Sequence, residues 1–325
     1  MKPFNFGETQ LRKLKRYNFI SFRKVGVYVT HRESRRQTFY MYLFISPWLI
    51  GFFVFALYPI LSSLYYSFTD YDIIHPPKYV GLANYKEMFQ NDLFWKSVVV
   101  TVRYTFISVP IQLLLALGFA LLLNAKIPFR GFFRTAMYFP SMVSGVAMSL
   151  LWYWIFNPSI GLFNYVLSWF GISGPAWLMS PDYALYALMI MSFWTVGSGM
   201  ILFLAGLQGV PSSLVEAAKL DGAGRFRIFL NVTLPMISPV LLFQLIMGVI
   251  DSFQVFTQAY VMTQGGPNYS TWFYVYNLYT SAFKEYRAGY SSALAWVLLI
   301  VVMAFTALII KLSNRYVHYE GGGRK

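Results

Sequence analysis

No cysteine occurs anywhere in this chain, so a disulfide framework and any Cys-based metal site are excluded. Only three histidines are present (His31, His75 and His318), too far apart in sequence to form a ligand spacing. Charge is scarce: 12% of the 325 residues are charged, against about 25% in a soluble globular domain. Acidic residues are the scarcest, with 12 Asp and Glu against 26 Lys and Arg. No Gly-Lys pair exists, so the phosphate cradle of a P-loop is absent and the chain has no means of its own to hydrolyse ATP. No His/Asp/Glu cluster or nucleophile–base pair points to an enzyme.

What is present is apolar surface, 57% of all residues. A helix needs roughly 20 mainly apolar residues to cross a bilayer. Six segments qualify, at about 40–68, 97–124, 135–157, 184–208, 236–262 and 291–311. Pro47, Pro59 and Pro110 fall inside them, which membrane helices tolerate when neighbours re-satisfy the freed carbonyls. The first run follows a basic leader of more than thirty residues. It is too long for a signal-peptide core and no small-residue cleavage site follows it, so it reads as a retained span. The expected fold is an all-α integral membrane protein of six helices.

The basic residues set the orientation. The leader, the second-to-third loop (Lys126, Arg130, Arg134), the fourth-to-fifth loop (Lys219, Arg225, Arg227) and the tail from Lys311 together hold twenty Lys and Arg, against five in the alternate loops. Both termini are therefore expected in the cytoplasm. The net charge of +14 is topological and does not call for nucleic acid. The leader, 1–38, reads as an electrostatic anchor on the inner leaflet. The membrane domain is 39–312, with its loop at 209–235, and a tail covers 313–325. On the outer side, residues 158–183 mix glycine, proline and aromatics in the manner of an interfacial or re-entrant segment.

One polar helix interrupts the apolar pattern. Ser213 and Glu216 have the spacing of a capping box. Leu214 to Asp221 make about two turns, and Gly222 stands where a left-handed stop belongs. Glu216-Ala217-Ala218, three residues, Gly222, nine residues, Val232, Thr233 and Leu234-Pro235 together resemble the EAA loop of the transmembrane subunits of binding-protein-dependent ATP-binding-cassette importers. Val232 stands where that pattern has Ile. Weaker stretches resemble the carbohydrate branch of these permeases, of the maltose, glycerol 3-phosphate and multiple-sugar type. Examples are Val80-Gly81-Leu82-Ala83-Asn84-Tyr85, Phe156-Asn157-Pro158, Thr263-Gln264-Gly265-Gly266-Pro267 and Gly289-Tyr290-Ser291.

The resemblance implies the architecture of a type I importer permease in a bacterial cytoplasmic (inner) membrane. It implies a loop helix that docks on an ATPase subunit, with Glu216, Ala217, Ala218, Lys219, Asp221, Gly222, Leu234 and Pro235 as the coupling residues. It also implies an ATPase dimer that binds ATP and Mg, a second related permease and an extracytoplasmic solute-binding protein. No cofactor is expected on this chain itself.

The solute path is read from the residues. Gln244, Asp251, Gln254 and Gln258 form one helical stripe on the fifth span, flanked by Ser252 and Tyr260. Polar groups at membrane depth face a bundle interior or a cavity. Amides and a carboxylate suit sugar hydroxyls; interhelical hydrogen bonding without a ligand is the plainer reading of the glutamines. Trp152, Tyr153 and Asn157 on the third span, and Trp194, Thr195 and Ser198 on the fourth, complete the expected lining. The rival function is a secondary sugar transporter working alone on an ion gradient, but Asp251 is the only acid deep in a span and no inverted repeat is visible.

Overall fold

The computed structural model describes residues 31–125 and 127–313, with side chains from residue 38. The leader up to residue 30, Lys126 and the tail beyond Ser313 lie outside the described residues, and so do most of the charges that set the expected orientation. The chain divides into two units, residues 1–61 and 62–325.

The protein is mostly helical. In the first unit α1 (His31–Gly51) runs into a π-helical turn (Phe52–Leu57), and α2 (Tyr58–Ser67) follows. Pro59 has no N–H to give to the ladder, and the turn before it is where the register slips. Two helices of the second unit are long and apolar enough to cross a membrane unaided: α4 (Asp92–Asn124) and α15 (Ala288–Ser313). Thr38–Ser67 also passes that test. Asn91 caps α4, its side chain accepting from the Leu93 amide at 2.9 Å.

The remaining apolar segments are broken. Residues 135–157, expected as one helix, are α5 (Arg130–Tyr138), a 3-10 turn (Phe139–Met142) and α6 (Gly145–Ile155). Pro140 cannot donate to a continuing ladder, Val143 is extended, and Ser144 starts a new helix by accepting from Ala147. The fourth segment is α8 (Ala184–Phe193) and α9 (Gly197–Gln208), bent by 43°. The fifth, expected to run to residue 262, ends at Phe253 in α13 (Ser238–Phe253), and a separate π-helical turn follows at Ala259–Thr263. Upstream of α13 the axis bends by 67° at Ile237, between Pro235 and Pro239. Length and composition thus support three spans, or up to five if each bent pair is one.

The outer loops carry a small exception to the all-α expectation. Strands β1 (Thr69–Asp70) and β2 (Lys78–Tyr79) pair antiparallel, and α3 (Ala83–Gln90) follows. Asn84 on α3 is buried and donates to the carbonyls of Ser67 and Thr69, both at 2.9 Å. Gly289, at the start of α15, lies so close that a Cβ there would sit 2.1 Å from the Thr69 carbonyl oxygen. Arg287 adds an ion pair to Glu87 at 2.6 Å. Residues 158–183 hold α7 (Leu162–Trp169), which exposes Tyr165, Trp169 and, just beyond it, Phe170.

Two cores position the rest. One gathers Tyr104, Trp152, Phe156, Leu188 and Tyr276. The other packs Ala116 and Ala120 of α4 against Met200, Phe203, Leu204 and Leu207 of α9. α4 is the central post of this unit, with small residues where α9 approaches it closely.

Candidate functional site

A cavity of about 250 Å³ opens between α4, α13 and the bend joining α8 to α9. Gly197 makes that bend possible: a Cβ there would lie 2.2 Å from the Met137 carbonyl oxygen, so α5 and α9 meet backbone to backbone. Thr195 closes the turn by donating to the Ser192 carbonyl at 2.9 Å.

Of the expected path residues, Gln244, Asp251, Ser252, Gln258 and Ser198 line the cavity together. Gln244 donates across the interface to the Gly199 carbonyl at 2.7 Å. Ser252 is buried and donates to the Val249 carbonyl at 2.8 Å. The Asp251 carboxylate lines the open space and has no hydrogen-bonding or ionic partner among the described residues.

The other expected residues lie elsewhere. Gln254 leaves the stripe because α13 ends there: its amide closes a turn on Asp251 and its side chain is exposed, outside the lining. The uniform helical stripe through residue 258 is therefore corrected to a helix plus a separate turn that brings Gln258 back. Asn157 is spent on its own loop, accepting from the amides of Ser159 and Ile160. Trp194 lines an apolar groove with Trp152 and Leu162. Tyr260 stacks on Phe256, 5.4 Å between centroids, away from the cavity. Tyr153 is exposed outside it.

Residues not on the expected path complete the wall. Gln112 on α4 donates to Ser192 Oγ at 2.8 Å, and Tyr104 and Gly199 stand beside it, next to the expected Thr195. Gln112 is an isolated amide in an apolar span two residues after Pro110, and that isolation was the available signal.

The loop helix is α10 (Ser212–Leu220), and none of its residues is buried. The capping box expected from Ser213 and Glu216 is not formed. The helix starts two residues earlier, Pro211 takes the cap position, and no side chain caps it. The stop is formed as expected. Gly222 has φ +78°, the Gly222 amide donates to the Lys219 carbonyl at 3.0 Å, and Ala223 donates to Ala218 at 2.9 Å. That pair of bonds is a Schellman motif. Nothing lies within 4 Å of a Cβ added at Gly222, so backbone conformation alone demands glycine there. Glu216, Ala217, Lys219, Asp221 and Gly222 are exposed, with Ala218 half-buried. Leu234 and Pro235 lie after a π-helical turn, Phe229–Thr233, and lead into the 67° bend.

This helix and most of the cavity wall fall within residues 112–318, which match the binding-protein-dependent transport system inner membrane component. The chain belongs to this family. It is 41% identical over 294 residues to the probable ABC transporter permease protein YesP of Bacillus subtilis (strain 168), an alignment covering 89% of this chain and 95% of that one. It is 36% identical over 291 residues to the trehalose/maltose transport system permease protein MalF of Thermococcus litoralis, covering 88% of this chain and 97% of that one. A bacterial ABC transporter involved in the import of the acidic polysaccharide alginate shares the permease fold, with TM-score 0.78 and 21% identity over 88% of this chain and 99% of that one.

Proposed function

We propose that this permease forms, with a second related subunit, the membrane path of an ATP-driven sugar or oligosaccharide importer. A solute-binding protein delivers the sugar from outside, and a separate ATPase dimer, using ATP and Mg, drives alternating access. The chain itself is the non-catalytic member of the complex. The sugar class is supported by the relative named for trehalose and maltose, 36% identical. Dependence on a binding protein is supported by the family to which the chain belongs.

In this reading 39–312 is the membrane domain, 1–38 and 313–325 are cytoplasmic, and the six apolar segments cross a bacterial inner membrane with the broken ones as bent or paired elements. The 209–235 loop then faces the ATPase. The observation that carries the coupling role is the exposed α10: a helix that buries none of its residues, held rigid by a Schellman stop, has its surface free for a partner. Glu216 supplies charge to a basic groove, Ala217 and Ala218 allow close approach, and Leu234-Pro235 joins the helix to the bend below the cavity. The cavity, with Gln112, Gln244, Asp251 and Gln258, is the sugar path.

The test is uptake by proteoliposomes holding this chain, its partner permease and the ATPase. Radiolabelled sugar should accumulate only with ATP inside and binding protein outside. Gradient-driven uptake by this chain alone, without any ATPase, would replace the reading with that of a secondary transporter.

A further inference from the structure

We propose that the cavity, lined by amides, hydroxyls and a single carboxylate, admits neutral, hydroxyl-rich sugars and turns away anionic ones, with Asp251 setting the sign. This rests on the cavity being the sugar path. It goes further by naming the chemical class of the cargo.

The first support is charge. Among the described residues lining the cavity, Asp251 is the one carboxylate, and none is Lys, Arg or His. An unpaired carboxylate on the wall of a recess, with protein on one side, repels a second anion more strongly than it would in bulk water. A carboxylate, phosphate or sulfonate on a solute finds nothing there to neutralise it.

The second support is the hydrogen-bonding capacity of the wall. Three of its hydroxyls are committed inward: Ser192 donates to the Met189 carbonyl at 2.6 Å, Thr195 to Ser192 and Ser252 to Val249. Gln112 and Gln244 each commit one N–H to the protein. What remains for a solute includes donors and acceptors: the second N–H and the carbonyl of these two glutamines, the Gln258 amide, the Ser198 hydroxyl and the Asp251 carboxylate. An ionised carboxylate accepts only, whereas a sugar hydroxyl both donates and accepts. A neutral sugar meets the carboxylate with its O–H groups and the amides with either function. An ionised acid group has no proton to offer Asp251. The fold does not dictate this choice, since a structural relative takes part in the import of an acidic polysaccharide. The lining does.

The cysteine-free chain permits a direct test. Ser198→Cys places a single thiol in the cavity wall of this chain in the assembled importer. Thiosulfonates of similar size, carrying a trimethylammonium, a hydroxyl or a sulfonate, are applied, and modification of this chain is read by intact mass. After correction for reactivity with free thiol, the cationic reagent should react at least about tenfold faster than the anionic one, as expected for an unscreened charge within a few ångströms. Adding the near-isosteric Asp251→Asn should shrink that ratio to about twofold or less. Equal rates with Asp251 present, or a ratio that Asp251→Asn leaves unchanged, overturn the proposal. Thr195→Cys is the second reporter; if neither thiol reacts with any reagent, the cavity is not a solute path and the proposal falls. Protection of the thiol by a neutral disaccharide reads the sugar-path assignment separately. A charge bias without protection strikes that assignment, while protection without bias strikes the charge selection by Asp251.

Discussion

The loop helix Ser212–Leu220 and the cavity beside Asp251 are rigid for opposite reasons. The helix buries none of its residues and is held by its own backbone, through the paired bonds that end at Gly222. The cavity wall is held by neighbours: Gly197 against the Met137 backbone, Gly199 under Gln244, and Ala116 and Ala120 against α9. A surface that must be offered to another protein cannot lean on the rest of its own fold for support. A recess that must keep its shape while a solute passes has to lean on several elements at once. Damage should therefore stay local at the helix and spread at the cavity.

The largest effect is expected from Gly222→Val. A β-branched residue at φ +78° costs on the order of 1–2 kcal/mol and removes the Schellman stop. Coupled uptake should fall at least about tenfold, and the ATPase should no longer co-purify, while labelling of Ser198→Cys stays as it was. Normal co-purification and uptake would break the comparison. Gly197→Val is the counterpart at the cavity. Its side chain must displace the Met137 carbonyl, and overpacking of this kind costs about 1–3 kcal/mol. Thermal stability of the complex should drop and sugar protection should vanish together; loss of one without the other would show that the wall does not act as a unit.

A smaller effect is expected from Gln112→Leu. It removes the bond to Ser192, worth about 0.6 kcal/mol in a bilayer, and one acceptor facing the solute. Sugar affinity should weaken several-fold with ATPase docking unchanged, as read by protection of the cavity thiol and by co-purification. The smallest concerns the outer loop. His75 Nδ1 lies 2.7 Å from Asp72 Oδ2, and this hydrogen bond holds the Asp72 carboxyl down at about 2. The contact supports the loop above the ordinary carboxylate value near 3.8 and is lost as pH falls through about 2. His75→Ala should return the carboxyl toward 3.8, measured by carboxyl-carbon NMR, with uptake at neutral pH unaltered. A carboxyl that stays near 2 in the variant would assign the shift to another group.

The same contrast governs what could be read beforehand. Local backbone chemistry was visible: a glycine at a left-handed position, a two-turn helix and the spacing through Pro235 all reside in one short stretch. The capping box misled because Pro211 caps the helix two residues early, placing Ser213 inside it. The cavity was half visible. Hydropathy marked Gln244 and Asp251 as polar at depth, but a 3.6-residue stripe presumes an unbroken helix, and α13 stops at Phe253. Gln112 and Thr195 belong to other segments, and only tertiary packing brings them to the same recess. Among the weaker stretches, Asn84 and Gly289 acquired a clear physical role, one clamping two carbonyls and the other yielding space to one of those same two, that of Thr69.

That outer clasp has a mechanical consequence. Asn84, Glu87 and Gly289, with their partners Ser67, Thr69 and Arg287, join the loop between the first two apolar segments to the root of the last one. Trp296, two turns further along, adds a bond to Ser63 at 3.2 Å. Loop and root behave as one riveted plate. A push applied anywhere on its outer surface reaches α15 as a displacement, with no slack to absorb it.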